Sequence, residues 1–168
     1  MTAQRQERNG WRRQNAFIAL VSGMAAMGGL GLAARAATTE QVVVDRYTGL
    51  ALGGFDPVAY FTDARPLAGQ PGFEVFEAGA VWRFRNEGNR AFFLAHPEIY
   101  GPQFGGYDPT DVARGVAVAG HPRFWMVAGA RLFLFGRAES RDAFAADASG
   151  VLREASRRWP GLKETLAR

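Results

Sequence analysis

The chain has no cysteine and only two histidines among its 168 residues. Without thiols it can form no disulfide, no thiolate metal site and no cysteine nucleophile, and it can carry no lipid on cysteine. Familiar catalytic signatures are also missing. No HExxH, P-loop, GxSxG or dinucleotide fingerprint occurs. Ser22, Ser140, Ser149 and Ser156 are the only serines, and none has a histidine nearby in sequence, which argues against a serine hydrolase. Most of the chain also lacks net charge. The formal charge of +4 comes from the first 36 residues, where Arg5, Arg8, Arg12, Arg13 and Arg35 face only Glu7. The remainder balances acid against base. It has no field to draw in a polyanion, so a nucleic-acid partner is not expected.

The basic start is followed by an uncharged apolar run from Ala16 to Ala34 and by small residues at Ala34-Arg35-Ala36. This pattern reads as a signal peptide over residues 1–36, which places the protein outside the cytoplasm, in a periplasm. The alternative is a transmembrane anchor, because the run is long enough to span a bilayer. Gly23, Gly28, Gly29 and Gly31 dilute its hydrophobicity and favour cleavage, with no stable membrane insertion afterwards. Arg12-Arg13 resembles a twin-arginine export signal, although Phe17 stands four places after the pair rather than two. An ordinary basic leader is the other reading.

What remains is rich in aromatic residues, with 13 Phe, 4 Trp and 4 Tyr in the whole chain. A core can therefore form by burial alone. Val42-Val43-Val44 could be a first strand. GGFDPVAYF (Gly53 to Phe61) reads as a turn feeding a short strand. Phe73 to Glu77 and Val81 to Arg85 alternate apolar with polar residues around a turn at 78–80, which predicts a hairpin. Asn86 caps a helix over Glu87 to Ala95, stopped by Pro97. Asp108-Pro109-Thr110-Asp111 carries the signature of a short helix start. A second hairpin is expected from Arg123 to Ala128 and Arg131 to Phe135. From Ala138 the pattern is helical, with a break at Gly150 and an end at Pro160-Gly161. The whole predicts one small α+β domain over 37–168, with two β-hairpins, several short helices and a C-terminal helical segment.

GFDPVAYF, WRFRNEGN, RAFFLAHPEIY and PQFGGYDPTDVARG, in that order, resemble the YHS-domain family, in particular its exported bacterial branch. The resemblance covers about Leu50 to Leu162 and includes GHPRFWMVAGARLFLF and Trp159-Pro160. Phe93, Pro97 and Tyr100 match the family's helix pattern. Metal-carrying relatives hold cysteines at places matched here by Ala59, Arg85 and Asn89, and the exported branch commonly has one where Asp108 stands. The resemblance therefore implies the scaffold without its thiol chemistry.

Candidate site residues follow from what is present. Asp56, Tyr60, Tyr107 and Asp108 are the candidates for binding a ligand. His96, Asp108 and Asp111 are weak candidates for a metal, and His121 could orient a ligand. Competing structural roles exist for each: Asp56 as a turn residue, Asp108 and Asp111 as a helix cap, both histidines as turn residues. The expectation is an exported, non-enzymatic domain, without a required cofactor, that binds a small molecule or an exported protein. The alternative is a metal- or cofactor-dependent protein using His96 and Asp108. GGFDP (53–57) and GGYDP (105–109) read as two unrelated turns, because a fixed 52-residue offset aligns no other landmark.

Overall fold

The computed structural model describes residues 41–166; the stretch read as a signal peptide, residues 1–36, lies outside them. The fold is α+β. Its elements are α1 (Ala59–Thr62), β1 (Gln70–Glu77), β2 (Ala80–Phe84), α2 (Glu87–Ala95), α3 (Pro97–Tyr100), α4 (Pro109–Val112), β3 (His121–Ala128), β4 (Arg131–Phe135), α5 (Ala138–Ala146) and α6 (Ala148–Leu166). Two 3-10 turns, Leu52–Gly54 and Gln103–Gly106, precede α1 and α4. Each hairpin is its own antiparallel two-stranded sheet. Among the described residues no helix is long and apolar enough to cross a membrane.

The element order states a correction. 3-10 turn, short helix, hairpin and helix occur twice, so GGFDP and GGYDP are the same feature in two structural repeats. The correspondence reaches individual hydrogen bonds. Asp56 N donates to Leu67 O at 2.8 Å, and Asp108 N donates to Val118 O at 2.9 Å. Gly69 N donates to Gly54 O, and Gly120 N to Gly106 O, both at 2.9 Å. Both hairpins slip register at the same place, between Gln70 and Glu74 in one and between His121 and Trp125 in the other. One fewer residue separates Asp108 from Gly120 than separates Asp56 from Gly69. That single deletion puts every later landmark out of step with a fixed offset, which hides the repeat from a sequence comparison.

The packing repeats as well. Phe93 of α2 lies 4.8 Å from Trp82 and 5.2 Å from Phe84, ring centre to ring centre. Phe144 of α5 lies 4.9 Å from Phe133 and 5.3 Å from Phe135. Strand β4 is buried on both faces. Leu132 and Leu134 join the core of the first repeat, while Phe133 and Phe135 meet α5. The two repeats thus share one strand's worth of core. Gly69 and Gly120 are needed where the chain crosses its own hairpin. A Cβ on Gly69 would sit 2.6 Å from the carbonyl carbon of Arg83, and one on Gly120 would sit 2.5 Å from Leu134 Cβ.

Both predicted hairpins form, with β1 and β3 starting earlier than the alternation suggested. Helix α2 has its expected bounds, and the Asn86 side chain accepts from Asn89 N at its start. Asp108 caps α4 through Thr110 N. Other expectations fail. Val42 to Val44 supply only a single bridge, Val44 to Ala51. The segment after GGFDP is helical rather than extended, because the Asp56 carboxylate accepts from Val58 N and turns the chain. The C-terminal break falls at Asp147, whose side chain accepts from Gly150 N, so Gly150 lies inside α6. Pro160 also lies inside α6. Its missing N–H would have served the carbonyl of Ser156, and both residues are exposed, so water can take that bond.

Candidate functional site

Asp56 and Asp108 are both fully buried, and each brackets its own repeat. Asp56 Oδ1 accepts from Val58 N at 2.8 Å. Its Oδ2 accepts from Arg85 N at 2.8 Å and from Asn89 Nδ2 at 2.6 Å. Asp108 Oδ1 accepts from Thr110 N and its Oδ2 from Gly136 N, both at 2.9 Å. Each carboxylate therefore ties the start of a short helix to the end of the following hairpin. Asn89 corresponds to Ser140, whose buried Oγ has no hydrogen-bond partner among the described residues. The second bracket thus has one donor fewer.

Tyr60 is buried, and its hydroxyl donates to Pro122 O at 2.9 Å. Its ring meets Trp125 edge to face at 5.2 Å. Tyr60 therefore pins the irregular start of β3 to the first repeat. Burial pushes its phenol well above the ordinary tyrosine value. Tyr60→Phe is expected to cost about 1 kcal/mol at neutral pH, the usual net worth of one hydrogen bond. Above pH 10 the unfolded phenol ionises while the folded one stays neutral, so this residue's stabilisation is lost as pH rises. Urea unfolding at rising pH should show the gap between wild type and Tyr60→Phe closing under alkaline conditions.

The remaining candidates lie apart. Tyr107 is buried against Trp159. Asp111 is buried and paired with Arg114 and, at 3.0 Å, with Arg137. His96 is exposed at the end of α2, with Nδ1 at 3.6 Å from Glu98. Among the described residues no group of three or more His, Asp or Glu gathers to hold a metal ion.

An open cleft of about 480 Å³ lies at the seam between the repeats. None of Asp56, Tyr60, Tyr107 or Asp108 lines it. Leu52, Phe55 and Trp82 come from the first repeat, and Leu134 comes from the second. The polar rim comes from the bulge that opens β3. His121 Nδ1 accepts from Arg123 N at 3.1 Å, which leaves Nε2 as the ring's donor. The Arg123 side chain is exposed and has no ion pair or side-chain hydrogen bond among the described residues. In the first repeat Gly72 stands in its place, so this cation has no counterpart there. Asp45 also lies on the rim. Its Oδ1 serves the 45–48 turn, and bonds from the Thr48 amide and hydroxyl hold its carboxyl below the usual value.

The volume is that of an ordinary small-molecule site, and an apolar floor with a few polar groups at the edge is its usual composition. Arg123 can meet a carboxylate or phosphate in a two-pronged bond. Sequence reasoning missed Arg123, Leu52 and Phe55 and reached His121 only as a lone histidine. The signal was the bulge itself, which becomes visible only when the two hairpins are aligned on each other. Comparison of the chain with models of protein families, with curated proteins and with solved structures gives no match in any of the three.

Proposed function

We propose that the protein is an exported, non-enzymatic, YHS-like binding domain whose seam cleft holds a small organic anion. The observation that carries this reading is the Arg123 guanidinium, without an ion pair among the described residues, at the rim of an apolar cleft. The buried carboxylates support the non-enzymatic part. Both oxygens of Asp56 and of Asp108 already accept bonds from their own repeat. The resemblance adds a spatial argument. Of the places where thiols would stand in metal-carrying relatives, Arg85 and Asn89 both reach Asp56, and Ala59 is buried in the helix that Asp56 starts. Hydrogen bonds to a carboxylate occupy the region where that resemblance expects metal ligands.

Arg123→Ala tests the binding reading. The residue is exposed and without an ion pair among the described residues, so stability should change by no more than about 0.5 kcal/mol. Affinity for benzoate, followed by calorimetry, should fall by roughly tenfold or more, since a hydrogen bond to a charged group contributes about 1.5–3 kcal/mol. Unchanged benzoate affinity would count against the cleft as the anion site. The export part is tested by mass. The mature chain isolated outside the cytoplasm should begin near Ala37, and an intact leader would show that the apolar run stays as an anchor.

A further inference from the structure

The two repeats treat one equivalent surface differently, and the difference describes the ligand. Leu52 and Phe55 of the first repeat correspond to Phe104 and Tyr107 of the second, by the shared 3-10 turn and the shared Asp-Pro that follows. In the second repeat this pair is covered by the indole of Trp159. Its ring centre lies 5.8 Å from Phe104, edge to face, and 5.8 Å from Tyr107, tilted. Trp159 is available there because α6 runs on to Leu166. The first repeat has no such helix, since α3 ends at Tyr100 after a single turn. Its Phe55 is instead half-buried and lines the cleft, together with the largely buried Leu52 and Trp82.

Resting on the anion-binding reading above, we infer that the ligand carries a planar aromatic ring, about the size of an indole, next to its carboxylate. The ring takes the place beside Phe55 that Trp159 takes beside Tyr107. The carboxylate reaches Arg123 at the rim. Aromatic groups prefer tilted and edge-to-face contacts with other rings, and each such pair adds stabilisation beyond the area it buries. A saturated ring of similar bulk gains only the area.

Calorimetric titration of the full-length protein with acetate, cyclohexylacetate and indole-3-acetate tests this. The expected result is that indole-3-acetate binds at least about tenfold more tightly than cyclohexylacetate, with acetate weakest, and that Arg123→Ala weakens indole-3-acetate by a similar factor. Equal affinity for cyclohexylacetate and indole-3-acetate overturns the planar ring and leaves the anion cleft standing. Equal affinity for acetate and indole-3-acetate removes any apolar body and also leaves the anion cleft. No binding of any of the three overturns both the ring and the anion-binding reading.

Discussion

Asp56→Ala is expected to destabilise the protein by about 3–5 kcal/mol, roughly a fifth or more of the stability of an ordinary domain. The substitution strands three donors at once: the buried Val58 N and the part-buried Arg85 N and Asn89 Nδ2. Each unsatisfied buried group costs about 1–3 kcal/mol. Asp108→Ala strands two, Thr110 N and Gly136 N, and should cost about 1 kcal/mol less. Asp56→Asn separates hydrogen bonding from packing. It keeps the shape but turns one acceptor into a donor, facing two donors on Oδ2 if the Oδ1 bond is kept. It should therefore still cost roughly 2 kcal/mol or more. Urea denaturation of the three variants measures this. A stable Asp56→Asn protein would mean that the carboxylate merely fills space.

Phe93→Ala and Phe144→Ala should each cost about 3–5 kcal/mol, and by nearly the same amount. Both rings are almost wholly inaccessible to solvent. Each touches two aromatic residues of its own hairpin at matching distances. Removing either leaves a cavity lined by rigid rings that cannot easily collapse. Equal losses are what two equivalent repeats require. If one substitution were harmless and the other severe, only one repeat would carry the core. Denaturation midpoints of both variants, with their slopes compared, answer the question.

Much of the fold was legible in the sequence because the deciding interactions are local. Asn86 and Pro97 set the bounds of α2, and alternation set the hairpins. What was not legible depends on contacts far along the chain or on solvent. Asp56 reads as a turn residue, yet its partners Arg85 and Asn89 lie a whole hairpin away. Pro160 reads as a helix end, yet α6 continues because the carbonyl it would orphan faces water. The repeat was hidden by one deleted residue. The site was the least legible part. Asp56, Tyr60, Tyr107 and Asp108 are conspicuous because they hold the fold, and Arg123 is inconspicuous because only the β3 bulge puts it at the cleft.

The most direct measurement is a nuclear magnetic resonance titration of the ¹⁵N-labelled protein with indole-3-acetate, read amide by amide. The seam cleft predicts shifts concentrated at Leu52 to Phe55, at His121 to Arg123 and at the Trp82 indole, with the amides of Arg85 and Gly136 unmoved beneath their carboxylates. Shifts gathered on another surface, with these residues silent, would contradict it.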